Sequence, residues 1–215
     1  MRRWLTVLAV LASAAIAALA QSDTDLAPGV FLVASRNLSD PNFAETVVLI
    51  VHYDEDNGSM GLIINRPTDV PLSRVFRDLK EAKGRTDPVY NGGPVEQGAL
   101  LALLKSSTKP AAAEKIFGDV YLVMSRDLVT KTLADKVDPS AFHAYLGYTG
   151  WAAGQLEHEL ALGGWQILPA DAASVFHAEP DSVWPRLIRR TETRVARWRP
   201  FTPILLSHKK PGNAN

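Results

Sequence analysis

The fold of this chain is decided by the stretch Gly147-Tyr148-Thr149-Gly150-Trp151-Ala152-Ala153-Gly154-Gln155-Leu156-Glu157-His158-Glu159-Leu160, which sets three glycines and a large aromatic side chain before a short helix. The spacing of its leucines predicts a helix over about residues 153–162, ended by two glycines. On that helix, Gln155 and Glu159 share a face beside the one that the leucines bury. Trp151 lies near the Gln155 side. We therefore expect an aromatic ring, an amide and a carboxylate along one border between core and solvent.

This border has two interpretations that the sequence leaves open. It could form a small polar pocket for a ligand. Alternatively, Gln155 and Glu159 could satisfy backbone groups of a nearby loop, since buried polar groups need partners in any case. The glycines permit positive φ or close approach of another segment. Their spacing is neither a dinucleotide fingerprint nor a phosphate-binding loop, so nucleotide binding is not indicated.

Two further motifs accompany the first. The stretch Gly58-Ser59-Met60-Gly61-Leu62-Ile63-Ile64-Asn65-Arg66-Pro67 ends a predicted strand, and Asn91-Gly92-Gly93-Pro94-Val95 forms a second sharp turn. Asn65 can cap the chain, and the planar guanidinium of Arg66 can bind a carboxylate or phosphate. An arginine at a strand end is also expected to reach solvent. With these motifs, residues 29–187 resemble the YqgE/AlgH family, whose biochemical role is not established.

The resemblance implies a mixed sheet that curls into a small barrel flanked by helices. Because the three motifs occur together in the family, it also implies one shared surface for a ligand or partner. The residues of this predicted surface are Asn65, Arg66, Gly92, Gly93, Trp151, Gln155 and Glu159. The alternative is that these turns and the tryptophan are simply what the fold requires.

Apolar runs bounded by turn residues predict the secondary structure. Strands are predicted at residues 30–34, 46–51, 60–64, 88–90, 98–104, 120–124, 144–148 and 165–168. Helices are predicted at residues 71–79, after Ser125 as a capping residue, at 153–162, and beyond Trp184. Hairpins mixed with helices indicate one α+β domain, which is compatible with the mostly antiparallel, barrel-like sheet that the resemblance implies.

Recognised catalytic and metal-binding signatures are missing from the sequence. A chain with 0 Cys has no disulfide, thiolate metal ligand or cysteine nucleophile. The stretch His158-Glu159-Leu160-Ala161-Leu162 lacks the second histidine of a zinc-protease motif, and the 5 histidines show no metal-ligand spacing. No Gly-x-Ser-x-Gly elbow is found. We therefore expect no catalytic residue, no metal site and no cofactor.

The charge balance argues against nucleic acid as a partner. The chain has 23 basic and 23 acidic residues, and loss of Arg2 and Arg3 on processing would make it slightly acidic. The single basic patch is a run of arginines on the last predicted helix, at positions 186, 189, 190, 194, 197 and 199. A solvated helix face explains such a patch as well as an anionic partner does.

The N-terminus has the form of a secretory signal. Arg2 and Arg3 precede an uncharged stretch at residues 4–20, and Ala18 and Ala20 precede the polar Gln21. The stretch is short and alanine-rich compared with the roughly 20 apolar residues of a spanning helix. We predict cleavage after Ala20, a domain over residues 21–200 and a C-terminal tail over residues 201–215. A retained anchor is the alternative, and membrane contact is expected only through that uncleaved segment.

These observations favour an exported, periplasmic, non-enzymatic module that binds a small ligand or a protein. The first alternative is an enzyme of unrecorded chemistry with a pocket at the glycine-rich turns. The second is a regulator of gene expression, a label sometimes attached to relatives, which requires a cytoplasmic location and a basic reading element.

Processing at Ala20 can be tested by intact mass. We expect the protein recovered from its native host to begin at Gln21, because the small residues Ala18 and Ala20 form a signal-peptidase site. Cytosolic product that begins at Met1 would contradict both cleavage and export.

Overall fold

The computed structural model of the chain describes the backbone of residues 25–198 and the side chains of residues 25–193. The predicted signal segment 1–20, the predicted tail 201–215 and the side chains of Arg194, Arg197 and Arg199 lie outside the described residues. The domain boundaries at residues 20 and 200 therefore stay predictions.

The described part forms ten strands and five α-helices. The strands are β1 (Val30–Ala34), β2 (Val47–Asp54), β3 (Gly58–Ile63), β4 (Pro67–Pro71), β5 (Pro88–Asn91), β6 (Val95–Lys105), β7 (Glu114–Phe117), β8 (Val120–Val123), β9 (Phe142–Trp151) and β10 (Trp165–Pro169). The helices are α1 (Leu72–Val75), α2 (Arg126–Ala134), α3 (Gln155–Ala161), α4 (Ala172–Val175) and α5 (Val183–Trp198). None of these helices combines the length and the apolar character that crossing a membrane requires.

One curled sheet contains all of the strands. Eight of them follow the order β10-β1-β2-β3-β9-β6-β8-β7, and β4 and β5 attach to β9 through β5. The β5–β9 pair is parallel and the other pairs are antiparallel. The sheet curls so far that a Cβ on Gly29, just before β1, would lie 3.0 Å from Cβ of Phe117 in β7. This half-barrel confirms the mixed, mostly antiparallel α+β domain.

Two apolar clusters form the core of the described part. In the first, α5 packs Val183, Trp184, Leu187 and Ile188 over β1 and β10. The indole nitrogen of Trp184 donates to the carbonyl of Ala34 at 2.8 Å. The other cluster contains α1, α2 and residues of β5, β6, β8 and β9. Strand β1 and the first five residues of β2 are buried throughout because both of their faces are covered, as their lack of alternation predicts.

The structure corrects three local predictions. Strands β4 and β7 were not predicted, because both are short and largely polar and neither shows a period of two. The helix predicted over residues 71–79 is only α1, since Phe76 leaves the helical region with φ −112° and ψ 53°. Ser125 does precede α2, but its side chain makes no capping hydrogen bond.

His143 of β9 is half-buried and lies against an aromatic cluster. The ring of His143 stacks on Tyr90 with centroids 4.5 Å apart and contacts Phe176 at 5.1 Å. Its Nδ1 and the hydroxyl of Tyr145 are buried without hydrogen-bond partners among the described residues. Burial lowers the pKa of His143 to about 4 and raises that of Tyr90 to about 12. The imidazole of His143 and the phenol of Tyr90 are therefore uncharged at neutral pH.

His143 should make the fold acid-sensitive. Between pH 6.5 and about pH 4, His143 is protonated in the unfolded chain but not in the folded chain. The free energy of unfolding therefore falls as the pH falls through that window. The shift corresponds to about 3 kcal/mol. We expect urea unfolding at pH 7 and pH 4.5 to show a smaller loss of stability for His143→Phe than for the wild type. The matched control, His52→Phe at an exposed position, should keep the wild-type pH dependence.

Candidate functional site

The carboxylate of Glu159 is the centre of a closed corner between α3, β9 and β10. Its Oε2 accepts hydrogen bonds from the indole nitrogens of Trp151 at 3.0 Å and Trp165 at 2.8 Å. Its Oε1 accepts from the amide nitrogen of Gln155 at 2.9 Å, and Oε1 of Gln155 accepts from the backbone nitrogen of Ala152 at 3.1 Å. The predicted aromatic, amide and carboxylate are thus in contact. Their polar atoms bond one another and the adjoining loop.

Aromatic packing closes this corner. Phe43 stacks on Trp151 with centroids 6.2 Å apart and meets Trp165 edge-on at 5.6 Å. The two indoles lie 6.1 Å apart in an edge-to-face arrangement. Only 5% of Trp151 and 2% of Trp165 remain exposed. The three rings thus pack on one another beside Glu159, which is half-buried, while Gln155 stays exposed.

Asn65 and Arg66 hold the loop that carries Phe43. The side chain of Asn65 accepts from the backbone nitrogen of Val47 at 2.8 Å and donates to the carbonyl of Glu45 at 3.0 Å. The guanidinium of Arg66 donates to the carbonyls of Asn42 at 2.6 Å, Ala44 at 3.1 Å and Pro41 at 3.3 Å. Burial lowers the pKa of Arg66. The arginine is half-buried against backbone rather than extended into solvent as expected.

Gly92 and Gly93 lie where two segments cross at van der Waals contact. A Cβ on Gly92 would stand 2.2 Å from the carbonyl oxygen of Gly147, and one on Gly93 would stand 2.3 Å from the carbonyl of Tyr148. Gly93 also has φ +150°. Any side chain here would push β9 away, which is why the Asn91-Gly92-Gly93 turn and the Gly147-Tyr148 stretch occur as a pair.

The seven predicted site residues therefore occupy two places in the fold rather than one. Trp151, Gln155 and Glu159 touch directly, while Asn65 and Arg66 connect to them through the Phe43 loop. Gly92 and Gly93 lie at the crossing with β9. The described side chains do not gather the seven residues into one concave surface. Their role in binding stays a prediction.

An open groove of about 470 Å³ lies elsewhere, beside a bulge in β6. Val95 pairs with Tyr148 and Leu100 with Leu146, so residues 96–99 of β6 lie opposite Gly147 alone. A Cβ on Gly147 would meet the carbonyl oxygens of Gly93 at 2.6 Å and Val95 at 2.9 Å. The bulge therefore requires glycine at residue 147, and it carries Glu96 at φ +42°.

Two of the three motifs contribute a side chain to this groove. Met60 comes from the stretch Gly58–Pro67 and Tyr148 from the long glycine-rich stretch, while Glu96 is the residue after the stretch Asn91–Val95. Met124 and Arg126, at the β8–α2 connection, complete the lining with the small or apolar residues 98–101 of β6. Sequence reasoning missed all five side chains. No local pattern in the sequence marks them, because the 57% exposure of Met124 after a buried strand is a property of the tertiary structure.

The chemistry of the groove is apolar in the middle and charged at its ends. The two methionines and the ring of Tyr148 form an adaptable apolar surface. Partial burial and the charge of Glu96 raise the pKa of Tyr148, so its hydroxyl stays protonated. No group of three or more metal-ligating side chains occurs among the residues that the structure describes.

Comparison with known proteins identifies the family. A family model described as AlgH-like matches residues 31–196. A UPF0301 protein of Azoarcus sp. (strain BH72) is 37% identical over 155 residues, which cover 70% of this chain and 81% of the relative. A UPF0301 protein of Hahella chejuensis is 38% identical over 153 residues, which cover 71% of this chain and 81% of the relative.

Two solved structures share the fold. The solution structure of the AlgH protein from Pseudomonas aeruginosa matches with a TM-score of 0.61 and 32% identity, covering 91% of this chain and 100% of that one. A crystal structure from Corynebacterium diphtheriae matches with a TM-score of 0.65, covering 86% of this chain and 93% of that one, and at 23% identity it shows the fold alone. The family-model match and the identity to these relatives show that this chain belongs to the AlgH-like (UPF0301) family.

Proposed function

We propose that this protein is an exported, non-enzymatic binding module and that its binding surface is the groove beside the β6 bulge. The observation that carries the proposal is the solvent-accessible, largely apolar lining of this groove, to which two of the three motifs contribute a side chain. These side chains are Met60 and Tyr148, and Glu96, one residue after the third motif, also lines the groove. By contrast, the side chains of Arg66, Gln155 and Glu159 are engaged in bonds within the fold.

The lining of the groove favours binding over catalysis. It contains one carboxylate, one guanidinium and one phenol, without the histidine, serine or second carboxylate that a nucleophile and its base would supply. The Arg126 guanidinium also lies 5.4 Å over the ring of Phe76, which fixes its position. Thioether and aromatic surface flanked by charges is typical of a site that takes an apolar segment of a protein.

If the chain is exported as we propose, its partner is a periplasmic protein rather than a nucleic acid. The proposal keeps the predicted cleavage at Ala20, and a mature chain with fewer basic than acidic residues has no global attraction to polyanions. The described arginines of α5 are already included in this count of basic and acidic residues. One of them, Arg186, donates to the hydroxyl of Ser174 at 3.1 Å.

The groove can be tested with a pair of exposed apolar residues. Met124 in the groove is 57% exposed and Leu162 outside it is 74% exposed. We expect Met124→Glu to lower capture of periplasmic proteins about tenfold, because an apolar contact worth roughly 1.4 kcal/mol is lost. Leu162→Glu is the matched control and should capture as the wild type does. Quantitative mass spectrometry of the captured proteins measures both.

Equal capture by Met124→Glu and wild type, with equal melting temperatures, would remove the groove from the function. Turnover of an ester, peptide or phosphate substrate that is lost in Tyr148→Phe would instead favour the enzymatic alternative.

The closed corner should behave as a stabilising element. We expect Glu159→Leu to reduce the free energy of unfolding by about 3 kcal/mol, because two indole donors and one amide donor lose their acceptor. Glu157→Leu on the same helix is the matched control, since Glu157 accepts one bond from the hydroxyl of Tyr53 at 2.9 Å. It should cost only about 1 kcal/mol. Thermal and urea unfolding measure the difference.

If the Glu159→Leu variant remains folded, it should capture periplasmic proteins as the wild type does. Loss of this capture with unchanged stability would show that Glu159 and its neighbours take part in binding.

A further inference from the structure

Glu96 has a backbone conformation that its residue type rarely adopts. Its φ is +42°, in the left-handed region where a Cβ crowds the neighbouring carbonyl. Three other non-glycine residues of the described part have positive φ, and all of them lie in turns between elements. They are Glu45, Ala112 and Lys136. Of the four, Glu96 alone lies within a strand, β6.

The bulge of β6 contains a glycine but does not use it at the left-handed position. Where a β-bulge needs positive φ, glycine is the usual residue because it has no Cβ to crowd the backbone. Gly98 lies in the same bulge and is not among the residues with positive φ. The strained position therefore carries a carboxylate. Strained residues of this kind cluster at binding and catalytic sites, where they hold a side chain in a required place.

The carboxylate of Glu96 lies in the groove without an ionic partner in the described structure. Glu96 is exposed and lines the groove together with Tyr148, whose pKa is raised by partial burial and by the charge of Glu96. Neither of the two ion pairs among the described side chains involves Glu96 or Arg126. Arg126 lies over the ring of Phe76 instead. An anionic group is thus open to a partner beside thioether and phenol surface.

We propose that Glu96 sets the specificity of the groove, and that the partner segment places a lysine or arginine side chain on it. Apolar residues next to that basic residue would contact Met60, Met124 and Tyr148. This inference rests on the proposed function, because it gives the chemistry of the partner of the same groove. Methionines adapt to apolar side chains of different shapes, whereas a fixed carboxylate attracts a basic group and rejects an acidic one.

A library of random heptapeptides displayed on phage tests the chemistry of the partner. We expect the purified wild-type protein to enrich sequences with lysine or arginine next to apolar residues. Glu96→Lys should enrich acidic residues in their place, because the charge of the groove is reversed. Glu55→Lys is the matched control, since Glu55 is exposed on the turn between β2 and β3 and lies outside the groove lining. It should enrich the same sequences as the wild type.

A synthetic peptide of the most enriched wild-type sequence measures the contact itself. We expect Glu96→Gln to raise its Kd about fivefold in titration calorimetry at low salt, because one partly exposed ion pair is lost. Added salt should weaken binding to the wild type and change binding to Glu96→Gln little, because salt screens the ion pair. An equal Kd and an equal salt dependence for the two proteins would contradict the proposal.

Glycine substitution separates a binding role of Glu96 from a structural one. Glu96→Gly removes the strain together with the carboxylate, so we expect a higher urea midpoint and weaker peptide binding. Lys136→Gly, at the left-handed residue after α2, is the matched control. It should also raise the midpoint but keep the wild-type Kd. Wild-type binding by Glu96→Gly would show that the carboxylate is not needed.

The outcomes separate this inference from the proposed function. If the wild type and Glu96→Lys enrich the same sequences, Glu96 does not set the specificity and the inference is wrong. The proposed function stands in that case if Met124→Glu abolishes the enrichment. If the wild type enriches no sequence over Met124→Glu, both are wrong.

Discussion

The structure depends on the close crossing of two backbones at Gly147. The carbonyl oxygens of Gly93 and Val95 lie so near that a Cβ on Gly147 would be 2.6 Å and 2.9 Å from them. Strand β9 pairs with β3, β5 and β6, so this crossing fixes how those strands meet. The four-residue bulge of β6 lies at the same crossing, where Gly147 alone is opposite residues 96–99. The central pairing of the sheet and the open groove beside it thus share one steric constraint.

Neighbouring parts of β9 contribute to two different places, the corner around Glu159 and the groove beside the β6 bulge. At the end of the strand, Trp151 is buried and shares the carboxylate of Glu159 with Trp165. A half-buried carboxylate with three donors is well satisfied, and its removal leaves the nitrogens of the two buried indoles without their acceptor. Three residues earlier, Tyr148 lines the groove.

Much of the corner could be predicted from sequence because its partners are close along the chain. Trp151, Gln155, Glu159 and Trp165 lie within 15 residues, and helical spacing places the amide and the carboxylate on one face. The inward turn of Arg66 could not be predicted in this way. Its acceptors are the carbonyls of Pro41, Asn42 and Ala44, 22 to 25 residues earlier, on a loop whose path only the pairing of β2 with β3 defines.

The sequence by itself determined the family, most of the strands and the glycine positions, because apolar runs, turn residues and motifs are local signals. Only the tertiary structure decided where those motifs point. Strand register decides it, because the register shift between Val95 and Leu100 leaves Glu96 and Gly98 exposed to solvent. The β6–β8 ladder ends at Ala102, so β8 does not pair with residues 95–101. Strand register and ladder length depend on contacts between distant segments, and the spacing of residues along one chain does not encode them directly.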